Sequence, residues 1–177
     1  MTYFVTKNYT PENGLSCTFR QWRADSHCRF IHGYALGVEV TFACEEEDLD
    51  GNGWVVNFGG LKRFKQWLQN TFDHTYLVAR DDPALPLFRE MAQTRQEKRD
   101  DELKTYWDEA GQLIQLVEVE RTGCEAFARM IADKLQYSLP ELVGPRKVRL
   151  HAVRVYEHQG NSATYKPFNP ADLAKLY

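Results

Sequence analysis

Residues 34–44 alternate along their whole length. Leu36, Val38, Val40 and Phe42 fall on one side, and Gly37, Glu39 and Thr41 on the other. A period of two marks a strand with one buried face and one wet face. Directly before it runs Cys28-Arg29-Phe30-Ile31-His32-Gly33-Tyr34, which places a thiol and an imidazole at the mouth of the strand. Groups held there are fixed more rigidly than groups on a free loop. The rest of the chain reads as scaffold, or as further groups aimed at the same place.

Upstream, Tyr3, Phe4, Val5 and Tyr9 mark a first strand over residues 2–9, and Thr10-Pro11-Glu12-Asn13-Gly14 is turn chemistry. Leu15 to Phe19 is a short β-like run. Arg20 to His27 is polar, with Trp22 embedded, and reads as a loop. Downstream, Glu45-Glu46-Glu47-Asp48 reads as a solvated loop and Asp50-Gly51-Asn52-Gly53 as a turn. Leu61, Phe64, Leu68 and Phe72 then follow a helical period, with Asn57 placed to cap the free N–H groups at its start. Asp73-His74-Thr75-Tyr76-Leu77 follows the helix end.

Residues 81–90 suggest a turn and a short helix, and residues 93–105 a solvated helix or charged insert. Leu113 to Val119 alternates weakly, as a strand. Phe127, Met130, Ile131 and Leu135 mark a second amphipathic helix, which Ser138-Leu139-Pro140 is expected to end. Lys147 to Tyr156 alternates, with a break in phase near Ala152-Val153 that suggests a bulge. Glu157 to Ser162 is a turn, and Ala163-Thr164-Tyr165 returns as a partner strand. Strands grouped around paired helices imply an α+β domain: an antiparallel sheet with helices on one face.

The chain has 177 residues, of which 43% are hydrophobic and 13% aromatic, enough for one packed core. The expectation is a single domain over 1–177 with a charged insert at about 81–112. A net charge of −3 gives no basic face, so nucleic acid is not favoured as a partner. No apolar stretch reaches membrane-spanning length, and residues 1–7 lack the pattern of a secretion signal. Four cysteines, at 17, 28, 44 and 124, make no disulfide framework. Reduced thiols in a cytoplasmic protein are the simpler reading.

Several groups carry chemistry, and each has a plainer alternative. Cys28 and His32 lie four residues apart. A thiol near an imidazole can serve as a nucleophile or base, or the two can be a small buried thiol and a hydrogen-bonded histidine. Cys17, His27, Cys28 and His32 are metal-ligand types, but their spacing matches no standard zinc pattern. Asp73 beside His74 can fix an imidazole tautomer for proton transfer, or both can bond to backbone at a helix end. Glu157 ends a strand, where a carboxylate can accept two N–H bonds from an amidine-like ring edge or form a salt bridge. Glu125 opens the second helix, where its charge is favoured in any case. Trp22, Trp54 and Trp67 read as core or interface aromatics.

Together these stretches resemble the 6-pyruvoyl-tetrahydropterin synthase and 6-carboxy-tetrahydropterin synthase family, over about residues 15–77 and 117–166. Leu15-Ser16-Cys17-Thr18-Phe19-Arg20 resembles the family's Phe-Ser-Ala-Ala-His-Arg strand. Cys28-x-x-x-His32-Gly33-Tyr34 resembles Cys-x-x-x-His-Gly-His. Gly53-Trp54-Val55-Val56-Asn57-Phe58-x-x-Leu61-Lys62 resembles Gly-Trp-(Val/Ile)-(Val/Ile)-Asp-Phe-x-x-Leu-Lys. Asp73-His74-x-Tyr76-Leu77 resembles Leu-Asp-His-x-x-Leu. Val153-x-Val155-x-Glu157 and Ala163-x-Tyr165 fit the final hairpin. The order and spacing of these motifs make the resemblance specific.

The resemblance implies the tunnelling fold (T-fold), an antiparallel four-stranded sheet with two helices on one face. It also implies assembly edge to edge into an oligomeric barrel, commonly a hexamer, with sites between subunits. Glu157 would anchor a pterin- or purine-like ring, with Cys124 and Glu125 beside it. Cys28 would be the proton-abstracting thiolate, assisted by Asp73 and His74. The family's enzymes act on dihydroneopterin triphosphate with zinc on three histidines. Those positions are Phe19, His32 and Tyr34 here, so only His32 remains as a metal ligand and zinc is doubtful. The family's Thr-Ser-Glu before the second helix becomes Gly123-Cys124-Glu125. The expected function is a heterocycle-binding homologue with zinc-dependent catalysis lost or altered. The alternative is an active lyase of the 7-deazaguanine (queuosine) or pterin route.

Overall fold

The alternating stretch divides between two sheets. The structure, a computed structural model, describes residues 1–10, 15–93, 113–158 and 160–167. Among these the order is β1 (Thr2–Tyr9), β2 (Ser16–Phe19), β3 (His32–Ala35), β4 (Gly37–Glu45), α1 (Lys62–Phe72), β5 (Thr75–Ala79), α2 (Leu85–Ala92), β6 (Leu116–Val119), α3 (Cys124–Val143), β7 (Arg149–His158) and β8 (Asn161–Tyr165). The first sheet runs β1-β4-β7-β8 and is antiparallel throughout. The second runs β3-β2-β5-β6, with β3 antiparallel to β2, and β5 parallel to both β2 and β6. Leu36 lies between β3 and β4; its N–H bonds to the Leu15 carbonyl at 2.9 Å and its side chain is buried. The chain thus passes from one sheet to the other inside the core.

Alternation predicts the first sheet well because one of its faces is covered. Val38, Val40, Phe42 and Cys44 of β4 are buried with Val153 and Val155 of β7 beneath α1 and α3. Phe64, Leu68 and Phe72 carry the apolar stripe of α1, and Phe64 meets Tyr9 of β1 edge to face at 5.6 Å. Asn57 caps as expected, but on the single 3-10 turn Phe58–Leu61 that leads into α1. Its Oδ1 accepts the Gly59 N–H at 2.8 Å. The bulge falls at His151, one residue before the expected break, where Thr41 pairs with Ala152 and Phe42 with Leu150.

Three expectations are revised. Helix α3 does not stop at Pro140 but runs to Val143. Pro140 removes one backbone donor, yet Leu139 and Val143 stay buried, and Gly144, with φ of 64°, closes the helix on the Pro140 carbonyl. Residues 75–79, read only as a helix aftermath, form β5. Every residue of it is buried, and a strand covered on both faces gives no alternation to read. Trp54, read as core or interface, is 49% exposed in the single chain, which removes the core alternative. The expected short helix near 81–90 is α2, whereas most of the charged insert lies outside the described residues.

Candidate functional site

Strands β2 and β3 set the site. Their register pairs Cys17 with Tyr34 and Phe19 with His32. Alternation places His32 and Tyr34 on one face of β3, with Phe19 against both. The Phe19 and Tyr34 rings stack at 4.0 Å with 10° between their planes. His32 lies 4.6 Å from Tyr34 and 6.5 Å from Phe19, centroid to centroid. Phe127 of α3 closes the back of this triangle, edge-on to Phe19 at 5.1 Å. Phe19 is fully buried.

Both nitrogens of His32 are engaged. Nδ1 lies 2.7 Å from the Phe30 carbonyl, which can only accept, so Nδ1 carries the hydrogen. Nε2 of the neutral ring is then an acceptor, and its partner is the Tyr34 hydroxyl. The tautomer is set by a backbone carbonyl, as metal-binding histidines often have it. Here the lone pair meets a phenol.

Glu157, Cys124 and Cys28 converge on Tyr34. Glu157 is half-buried at an irregularity in the pairing of β7 with β8. Cys124, the first residue of α3, lies beside the Glu157 carboxylate. Burial pushes the Cys124 thiol up to about 12, and the charges of Glu157 and Glu125 add to this. Burial raises Tyr34 to about 12 as well, reinforced by Glu157, Cys28, Cys124 and Cys17. Cys17 is driven to about 12 by burial and by Cys124. Tyr34, Cys17 and Cys124 are therefore protonated at neutral pH, and both Tyr34 and Cys124 remain donors.

The loop between β2 and β3 carries Cys28 and is pinned at several points. Arg20 donates to Asp82 through Nε at 2.8 Å and Nη2 at 2.6 Å, and the Asp82 side chain is only 1% exposed. Trp22 and Arg23 reach Asp81 at 3.1 and 2.8 Å. Thr122 Oγ1 donates to the Arg20 carbonyl at 2.7 Å. The Gln21 N–H bonds to the Cys28 carbonyl at 2.9 Å, and Ser26 caps the turn His27–Arg29. Gln21 also lies against Gly123, where φ is 112° and a Cβ would come within 2.6 Å of Gln21 Nε2. A side chain at 123 is disfavoured by the positive φ, and Gln21 would have to swing aside for it. Glu125 stands beside Gly123 and is exposed. Sequence reading missed Arg20, Gln21, Asp81 and Asp82. Their partners are distant in the chain, and only adjacency in the fold reveals them.

Asp73 and His74 form a pair of their own. Asp73 Oδ1 lies 2.9 Å from His74 Nδ1, which leaves Nε2 outward on a ring that is 85% exposed. His74 has φ of 54° and bonds its N–H to the Ser16 carbonyl at 2.7 Å. Ser16 opens β2, whereas Phe19 and His32 stand at the far end of it. Within one chain the pair is at the other end of β2 from the Cys28 side.

Phe19 supplies no donor atom, and Tyr34 already engages the ligating nitrogen of His32. The residues at these positions do not fit a three-histidine ion. Among the described residues no group of three His, Cys, Asp or Glu side chains could hold a metal ion, the set Cys17, His27, Cys28 and His32 included.

The architecture is shared with solved structures. An uncharacterised protein of Wolinella succinogenes aligns with a TM-score of 0.72 at 19% identity, covering 95% of this chain and 99% of that one. A Plasmodium vivax 6-pyruvoyltetrahydropterin synthase mutated at a catalytic residue aligns at 0.62 with 16% identity, over 96% and 99% of the two chains. These likenesses identify the T-fold that the sequence motifs suggest. The chain belongs to the 6-pyruvoyl tetrahydropterin synthase family, whose model matches residues 9–167. The 6-carboxy-5,6,7,8-tetrahydropterin synthases of Rickettsia typhi and Rickettsia bellii are 36% and 34% identical to it over 56 residues. That match spans 31% of this chain and 39% of each relative's length. Among the described residues no helix is long and apolar enough to cross a membrane.

Proposed function

We propose that this protein binds a pterin- or purine-like heterocycle through Glu157, with the family's zinc-dependent chemistry lost or altered. The observation that carries this reading is the convergence of Glu157, Cys124 and Tyr34 beside a His32 whose lone pair is taken. A half-buried carboxylate suits the paired N–H groups of a guanine-like ring edge. Each hydrogen bond to a charged group contributes about 1.5–3 kcal/mol. Membership of the family supports a pterin as the ring.

The reading includes a homo-oligomer, as a hexamer or another closed ring. Strands β1 and β8 are the edges of the first sheet and suit pairing with a second copy. A neighbouring copy could then bring Asp73 and His74 to the Cys28 side of the pocket. The protein is read as cytoplasmic, with reduced thiols.

A second reading, an active lyase on dihydroneopterin triphosphate, is favoured by one observation. The Asp73 carboxylate holds the His74 tautomer at 2.9 Å, as a proton-transfer group needs. Cys28 would remove the proton and His74 would assist.

Fluorescence titration with pterin separates these readings, alongside turnover of dihydroneopterin triphosphate. Binding by the wild type, weakened about tenfold or more in Glu157→Gln with no turnover, supports the binding protein. Turnover abolished by Cys28→Ala supports the enzyme. Equal pterin binding by wild type and Glu157→Gln contradicts the role of Glu157 in both.

A further inference from the structure

We propose that Tyr34 determines which side chain the bound heterocycle can carry, by presenting only hydrogen-bond acceptors to it. The inference rests on the heterocycle reading above and adds the chemistry of the ligand's substituent. The Phe30 carbonyl fixes the hydrogen of His32 on Nδ1, at 2.7 Å. His32 Nε2 therefore takes the hydroxyl hydrogen of Tyr34. The stack of Phe19 on Tyr34, at 4.0 Å and nearly parallel, holds the phenol ring in that place. The phenol oxygen has two lone pairs left and no hydrogen to give.

The strongest charge near Tyr34 is negative. Glu157 is an acceptor whose negative charge bears on Tyr34, and the thiols of Cys28 and Cys124 near it are only weak donors. A ligand group arriving at Tyr34 must bring its own hydrogen. A hydroxyl or an amine can do so. A carboxylate or a phosphate cannot, and it would meet the negative charge of Glu157. The chain's own residues thus select a neutral or cationic, donor-bearing substituent over an anionic one. A site built to accept from a hydroxyl discriminates by leaving its polar atoms unpaired when the wrong ligand binds.

Three ring-matched ligands test this with the full chain: pterin, neopterin with its hydroxylated side chain, and 6-carboxypterin. Wild type should bind neopterin about three- to tenfold more tightly than pterin, and 6-carboxypterin more weakly than pterin. In Tyr34→Phe the neopterin-to-pterin ratio should fall to within about twofold, as expected for one lost hydrogen bond. In His32→Ala the phenol hydrogen is released, so 6-carboxypterin should gain on pterin. A merely structural role for His32 would not shift that ratio. Thermal melts of each variant check the fold. A neopterin advantage that survives Tyr34→Phe, or a wild-type preference for 6-carboxypterin, overturns the inference while leaving the role of Glu157 intact. Absence of pterin binding by the wild type, or binding indifferent to Glu157→Gln, overturns the heterocycle reading and this inference with it.

Discussion

The two groups of residues at the motif positions sit in opposite environments here. Around Tyr34 the groups are tied to one another or to neighbouring backbone: His32 to Phe30 and Tyr34, and the Cys28 loop to Asp81 and Asp82. The His74 ring bonds to Asp73 and faces solvent. The first region is assembled within one chain. The second is a group held ready and exposed, which suits a partner copy or a mobile substrate. On the proposed reading, the ring-binding groups and the proton-transfer pair therefore stand at opposite ends of β2.

The sharpest test of that contrast is to break the buried side. Phe19→Ala removes a fully buried ring that stacks on Tyr34 and meets Phe127. Denaturant unfolding should show a loss of about 3–5 kcal/mol, with heterocycle binding lost too. A small loss would mean that the pocket is not held by this triangle.

Asp82 comes next. Burial works to raise its carboxyl, but the Arg20 hydrogen bonds, the Ala84 N–H and the Arg20 charge outweigh it and hold the group below its usual value. A carboxyl lowered by folding adds stability that is complete above its unfolded value, 3.8, and lost as pH falls through the folded one. Asp82→Asn should destabilise the protein at pH 7 by about 2 kcal/mol and flatten the fall in stability below about pH 4. Urea midpoints measured from pH 3 to pH 7 check both. An unchanged acid limb would mean that Asp82 does not anchor the Cys28 loop.

His74→Ala should have the smallest effect on the fold, leaving the melting temperature within error because the ring is exposed. A large drop would place His74 with the buried region after all. Its effect on turnover, if the protein is a lyase, should be complete.

Much of this was readable from residue order. Strand β4 and the β7–β8 hairpin announce themselves because one face is wet and the other dry. Strand β5 is silent because both its faces are covered, and the second sheet stayed hidden with it. Glu157, Cys28, Asp73 and His74 could be singled out by motif, but not which of them would meet. That depends on β2 and β3 pairing in one register and on α3 starting at Cys124. Tyr34 reads in sequence as a missing ligand. Only the hairpin geometry makes it the hydrogen-bond partner of His32, two residues along the same strand face. Arg20 and Asp82 lie far apart in the chain, and no local pattern joins them.

The most direct test of a pocket that binds its ring with protein groups alone is pterin affinity before and after exhaustive chelation, with zinc measured in the same samples. The expected result is an affinity unchanged within about twofold and no stoichiometric zinc to remove. Stoichiometric zinc, with binding that collapses on chelation and returns when the ion is restored, would contradict it.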